Sequence, residues 1–250
     1  MRPDIDQVMA ALRAWGDLRF LGRLEGGYRN TVLLVECNGE RLVAKSTRRS
    51  PEAIAWLNDI YDVAEAVGIE VPHLVPSSGG QLVEGGVTVE RWIDGAPLAE
   101  ADYEAAAQVI KRFHSATRGW PQRPSFASSQ ELLGRTRGGD VNLGLMPPDL
   151  VRVCREAWGT LATEPQSAVH GDVNPSNMLR TPDGRIALVD WDEARCDVSA
   201  LDLVALSAGR PDISQESPPH LMRAFEAWEV AVCWQVEPEH ARAIARRLES

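Results

Sequence analysis

An Asn-Gly pair, Asn38-Gly39, stands between two β-rich runs, TVLLVEC (31–37) and RLVAKS (41–46). Such a pair turns the chain straight back on itself, because both central residues of a tight hairpin turn need positive φ, which Asn and Gly tolerate. An earlier run, RFLGRL, ends at Gly26-Gly27. Three antiparallel strands are therefore expected, with a glycine loop between the first two. Ahead of them, Ile5, Val8, Met9, Leu12 and Trp15 recur at helical spacing. Behind them, SPEAIAWLNDIYDVAEAVG has Ser50 to cap a helix, Pro51 for its first turn and Gly68 to end it. Two more short strands, QLVE and VTVERWI, complete a region of five strands and one helix.

The period changes after Asp94-Gly95. From there the pattern is mainly helical, over about 99–116, 148–161, after Ser199 and after Pro218. PQRPSFASSQ and GRTRGGDVNLGLMPP, between these segments, read as loops. The expected organisation is a β-rich N-terminal lobe, 1–93, joined by a short hinge to a helical C-terminal lobe, 94–250.

Size permits this: 250 residues can form two small lobes or one large domain with a sizeable core. The formal net charge is -10 and no basic block interrupts it, which argues against nucleic acid or an anionic membrane as partner. No apolar run approaches membrane-spanning length, and MRPDIDQVMA lacks a signal-peptide core. Cys37, Cys154, Cys196 and Cys233 are widely spaced with no C-x-x-C pair, as expected of buried thiols in a reducing, cytoplasmic setting.

The chemistry-bearing residues concentrate in AVHGDVNPSNML (168–179), followed by the turn TPDG and the run RIALVDWDEA. Asp172 is suited to accept a proton from a hydroxyl, and Asn177 offers a neutral oxygen to a hard cation. Asp190 ends an apolar strand, where it is a cation ligand or simply a turn residue. Lys45 lies late in a buried strand, and burying its ammonium requires an anion unless it reaches solvent. Gly26 and Gly27 would let backbone N–H groups approach phosphates, or form a plain hairpin. His170, alone among apolar neighbours, reads as a loop anchor, and so does His114 in KRFHSAT.

Taken together, VHGDVNPSNML and ALVDWDEA resemble the H-G-D-x-x-x-x-N and D-x-D signatures of the aminoglycoside phosphotransferase and choline kinase superfamily. EGGYRNT, LVAKS, VERWIDG, RFHS and DLVAL follow in that family's order, so the likeness spans about 21–206. It implies an α+β, bilobal, protein-kinase-like fold and transfer of a phosphoryl group from ATP or GTP, with Mg2+, to a small-molecule hydroxyl. It makes Asp172 the catalytic base and Asn177 and Asp190 the magnesium ligands. Lys45, Gly26, Gly27 and Asn30 would hold phosphates, while Glu90, Arg91 and Trp92 would present backbone groups to the purine. Asp202 would support the catalytic loop by accepting its backbone N–H groups. Asp192 and Glu193 stay open among tuning the metal, touching substrate and facing water.

The chain departs from the family at one position. The acid that pairs with the lysine would fall near Leu57, which cannot serve, leaving Glu52 as the best substitute or as an ordinary first-turn acid, with Asp59 and Glu65 as further options. A nucleotide-binding scaffold without catalysis is the alternative from another class. A metallophosphatase built on HGD fits less well, because only 5 His are present and none lies near the other acids. The acceptor is left as an aminoglycoside or amino alcohol, both suited to the acidic balance. Arg135 and Arg137 could instead clamp a carboxylate or face solvent, and the oligomeric state is unspecified.

Overall fold

A computed structural model describes residues 4–24, 29–208 and 217–248. Gly26 and Gly27 lie outside the described residues. Contacts divide the chain into two compact units, Met1–Asp62 with Val71–Asp94 and Val63–Glu70 with Gly95–Ser250.

In the first unit, α1 (Ile5–Ala11) opens on a reciprocal cap. Asp4 accepts from the Gln7 backbone while the Gln7 side chain accepts from Asp4 N. A 3-10 turn continues it to Trp15. Next come β1 (Arg19–Arg23), β2 (Val32–Cys37) and β3 (Glu40–Ser46), with Asn38 at φ 51 and Gly39 at φ 84 between the last two. Val8, Leu12 and Trp15 pack with Leu33, Val35, Leu42 and Ala44, the alternate residues of one sheet face. Helix α2 (Pro51–Ala66) starts at Ser50, whose hydroxyl accepts from Ala53 N.

The chain passes into the second unit at Val63, within α2, adds β4 (Ile69–Glu70) there and returns to the first for β5 (Val87–Arg91). The sheet of the first unit has the order β1-β2-β3-β5, so it contains four strands rather than five. QLVE does not form one. Only Glu84 bridges, to Val87, because Gly85 and Gly86 at φ 58 and 74 fold that segment tightly onto the start of β5.

The second unit continues with β6 (Ala96–Pro97), α3 (Tyr103–Ala116), β7 (Arg137–Gly138), β8 (Val141–Asn142) and α4 (Pro148–Gly159). After these come β9 (Gln166–Val169), β10 (Met178–Arg180), β11 (Ile186–Leu188), β12 (Arg195–Val198) and α5 (Ala200–Ala208). Two helices follow, α6 (Pro219–Cys233) and α7 (Pro238–Leu248). It is less purely helical than its periodicity suggests. A four-stranded sheet runs β4-β11-β10-β6, β9 pairs with β12, and GRTRGGD folds into the β7–β8 hairpin. Membership of β4 follows from its parallel pairing with β11, Ile69 opposite Ile186.

Leu150, Cys154, Ala157 and Trp158 form the buried stripe of α4, and Ala241, Ile244, Ala245 and Leu248 that of α7. Both stripes join residues of α5 and α6 in one core. Trp158 is fully buried there, and its indole N–H donates to Ala224 O at 3.3 Å. Trp158→Ala should lower unfolding stability by about 3–5 kcal/mol, the usual range for emptying an aromatic site. A denaturation midpoint unchanged from wild type would contradict this packing.

Candidate functional site

Three local devices gather the chemistry-bearing residues of the second unit. The first is strand register. Met178 pairs with Leu188, and the ladder extends one step further as Val189 N donates to Asn177 O at 3.0 Å. Asn177 therefore lies opposite Val189, the neighbour of Asp190. The intervening turn is pinned by Thr181, which bonds Arg185 through both backbone and hydroxyl, and by Gly184 at φ 88.

The second is His170. Its Nδ1 accepts from Asp172 N at 3.3 Å, so Nε2 carries the proton and donates to Val189 O at 3.1 Å. Burial pushes the pKa of this ring below its usual value, against the attraction of Asp202, Asp172 and Asp190. A neutral ring with one donor and one acceptor is what these two bonds require. His170 thus ties the Asp172 loop to the strand end that carries Asp190.

The third is the Asp172 carboxylate. Asn174 Nδ2 donates to Oδ1 and Asn177 Nδ2 to Oδ2, each at 2.8 Å, and Asn177 Nδ2 also reaches Asp172 O at 3.0 Å. With its amide hydrogens directed at Asp172, the Asn177 side chain turns its carbonyl oxygen the other way. Burial raises the Asp172 pKa and the charge of Asp190 raises it further, while His170, Asn174 and Asn177 pull it down. The net direction is upward, toward a stronger base. Asp190 itself has φ 61 and ψ 60, a left-handed conformation that costs a non-glycine residue energy and is tolerated best by Asn and Asp.

Underneath lies Asp202, in the first turn of α5 and 1% exposed. Its Oδ2 accepts from His170 N at 2.8 Å and its Oδ1 from Gly171 N at 2.9 Å. His114 Nε2 lies 3.0 Å from Oδ2. Burial alone would raise the Asp202 pKa, but the His114 bond, the two imidazoles and the Gly171 N–H outweigh it and hold the carboxyl below its usual value. Being ionised, Asp202 can only accept, so His114 donates. Gly171 has φ 85, and a Cβ there would stand 2.6 Å from Glu193 O, so no other residue fits.

The remaining candidates are distributed as follows. Lys45 is buried at 7% exposure in β3. It points to the face opposite Leu42 and Ala44, away from the α1 core. Asn30 is half-buried ahead of β2. Glu90 is buried in β5, opposite Val43. Arg91 N and Trp92 N already donate to His73 O and Arg41 O, so those two amides are spent inside the unit. Glu52 is exposed at the start of α2, where the Ser50 side chain holds its carboxyl below the usual range. That is the environment of a first-turn acid rather than of a partner for a buried lysine. Asp192 is half-buried and Glu193 buried at 6%, so Glu193 does not simply face water. Arg135 pairs with Glu131, and Arg137 is exposed in β7.

Residue typing alone did not single out Asn174, Gln122, Arg123 or Arg195. Asn174 was visible within the NPSN turn, where its side-chain oxygen accepts from Ser176 N. Arg123 donates to main-chain oxygens, Gln122 bonds mostly main-chain N–H and carbonyl groups, and Arg195 divides its bonds between Glu193 O and Asp197, so main-chain partners that leave no mark in a sequence predominate. Among the described residues no cluster of three or more His, Cys, Asp or Glu could hold a metal. No helix among them is long and apolar enough to cross a membrane.

Asp202→Asn keeps the shape but replaces an acceptor-only group with one that also donates. A depressed folded pKa means that the unfolded chain takes up the proton first. The Asp202 contribution is therefore present above the ordinary carboxylate value and lost as pH falls through the depressed one. The variant should lose about 3 kcal/mol or more at neutral pH and show a flatter acid limb than wild type. Parallel acid limbs in thermal melts would refute the role assigned to this carboxylate.

The sequence model of the phosphotransferase enzyme family matches residues 21–242. No curated protein sequence matches the chain. Among solved structures, the fold resembles a choline kinase from Streptococcus pneumoniae at TM-score 0.68 and 14% identity, covering 92% of each chain. It also resembles an amicoumacin kinase solved with AMP-PNP, Ca2+ and its antibiotic, at TM-score 0.66 and 14% identity, over 99% of this chain and 92% of that one. An aminoglycoside phosphotransferase from Alicyclobacillus acidocaldarius aligns at TM-score 0.53 and 21% identity, over 96% and 95%. The α+β fold is thus that of the protein-kinase-like small-molecule kinases.

Proposed function

The chain belongs to the phosphotransferase enzyme family, and from that membership we propose that it transfers the γ-phosphoryl group of ATP or GTP to a hydroxyl of a small, amine-bearing molecule. The observation that carries this reading is the tie of Asp172 to Asn177 and, through His170 and Val189, to Asp190. A base and two oxygen ligands are held within one rigid cluster.

Asp172 acts on the acceptor. Its raised pKa and fixed carboxylate suit it to orient the hydroxyl and take its proton as the oxygen attacks phosphorus. The bond from phosphorus to the β–γ bridging oxygen breaks, and its electron pair leaves with the nucleoside diphosphate. Asn177 and Asp190 fit a magnesium ion: one neutral and one anionic oxygen form the hard donor set that magnesium takes alongside phosphate and water. Magnesium supplies neutralisation of phosphate charge when bound. Lys45, with Asn30, Gly26 and Gly27, serves the phosphates. The purine edge is served by the stretch from Glu90 to Trp92 through its carbonyl oxygens, the amides of Arg91 and Trp92 being engaged already.

An amine-bearing acceptor suits the formal charge of -10 and the acids Asp192 and Glu193 that follow Asp190. The relatives described above are kinases of choline, amicoumacin and aminoglycosides. The cysteines are free, and burial raises Cys154 and Cys196 to about 12, which accords with a cytoplasmic setting.

Asp172→Asn preserves size and reach but cannot take the proton. It should lower kcat by roughly 10²–10⁴-fold with nucleotide Kd nearly unchanged. Phosphoryl transfer to an amino alcohol or aminoglycoside at the full rate in this variant would end the proposal. A wild type that binds nucleotide but phosphorylates nothing in such a screen would favour the scaffold alternative. Lys45→Ala should weaken binding of a nonhydrolysable triphosphate in calorimetric titration, and an unchanged affinity would remove Lys45 from the phosphate site.

A further inference from the structure

Arg123 lies in PQRPSFASSQ, a segment with no periodicity and no predicted role, yet it is only 1% exposed. One of its guanidinium nitrogens, Nη1, donates to Trp191 O at 3.4 Å, Asp192 O at 3.0 Å and Ala194 O at 3.0 Å. The remaining carbonyl of that turn, Glu193 O, accepts from Arg195 Nη1 at 3.2 Å. Four successive carbonyls after Asp190 are thus held by two buried guanidinium groups. Arg195 is in turn bonded to Asp197 at 2.9 Å and stacked 3.4 Å from the Trp228 ring centre.

Arg123 has its own support. Its guanidinium lies 4.4 Å over the Phe126 ring. Phe126 is wedged by the β7–β8 turn, where a Cβ on Gly139 would stand 2.8 Å from the ring. Gly139 N also donates to Ser125 O at 2.8 Å. The loop that carries Arg123 is therefore clamped before it clamps anything else.

We infer that Arg123 is a positioning residue for Asp190, holding the 191–194 turn through its carbonyls so that the preceding aspartate keeps its left-handed, metal-binding conformation. The inference rests on the reading of Asp190 as a magnesium ligand. A residue in the left-handed region returns to a commoner conformation unless its flanks prevent it. One flank is the β11 ladder with Val189. The other is this turn, whose carbonyls one guanidinium nitrogen reaches while the stack on Phe126 fixes the plane of the group, a support that a flexible ammonium lacks.

The test uses Mn2+ as the probe, titrated by electron paramagnetic resonance onto full-length protein with a nonhydrolysable nucleoside triphosphate. Arg123→Lys keeps the charge but not the planar group stacked on Phe126. It should raise the Mn2+ Kd about tenfold, the lower end of the range for residues that orient metal ligands. Nucleotide Kd measured in EDTA should stay within twofold of wild type, a split that general destabilisation would not produce. If Arg123→Lys does not fold, Phe126→Leu removes the stacking surface and leaves the guanidinium, and should shift Mn2+ affinity in the same direction. A folded variant with Mn2+ and nucleotide affinities both at wild-type values overturns the inference alone. Mn2+ affinity unaffected by Asp190→Ala overturns the metal reading, and the inference with it.

Discussion

One buried carboxylate organises the second unit. Asp202 takes N–H groups from His170 and Gly171 at the end of β9, and the imidazole of His114 from α3. A carboxylate this deep is costly unless its lone pairs are filled, and hydrogen bonds to a charged acceptor are stronger than neutral ones. The same bonds remove the freedom of the backbone just where β9 ends. A helix, a strand and a loop are joined at one group, which fixes the point from which Asp172 projects. Truncation of Asp202 would leave three donors buried without an acceptor, so the loop and the fold share one determinant.

Two further constraints pass this rigidity on to Asp172, Asn177 and Asp190. Gly171 lets the loop approach Glu193 O closer than any side chain would permit. His170, kept neutral by burial, uses one nitrogen for the Asp172 amide and the other for Val189 O. The β10–β11 register then places Asn177 opposite Val189. Each bond is local, yet together they leave little play among Asp172, Asn177 and Asp190. That is what transfer between two bound molecules requires, since misplacement by about 1 Å can cost two orders of magnitude.

Sequence patterns carried most of the secondary structure, for identifiable reasons. Asn38-Gly39 supplied a turn whose φ values few other pairs adopt, and the stripes of α4 and α7 follow the 3.6-residue period closely. QLVE misled because its composition is that of a strand, while Gly85-Gly86 leaves no length for one. At the site, Asp172, Asn177 and Asp190 stood out because oxygen-bearing side chains on short strands and turns are unusual company. Arg123 and Gln122 did not, since their partners are carbonyl and amide groups that every residue possesses. Glu52 was a candidate only by proximity in sequence, and its place at the exposed start of α2 reflects capping chemistry.

The choice of partners around Asp172 also bears on how a base can be both oriented and basic. A lysine or arginine bound to its carboxylate would fix the orientation but lower the pKa by roughly 1–3 units. Asn174 and Asn177 instead supply neutral amide donors, one to each oxygen. Their pull on the proton is weaker than a cation's, and burial together with the Asp190 charge outweighs it, so the pKa still moves upward. Asn177 fits this arrangement especially well. Its two ends act in opposite senses, the NH2 group steadying Asp172 and the carbonyl oxygen able only to accept. A carboxylate at 177 would add a charge beside Asp172 and donate nothing to it, and an aliphatic residue would serve neither side. The amide thus steadies Asp172 without bringing a charge beside it.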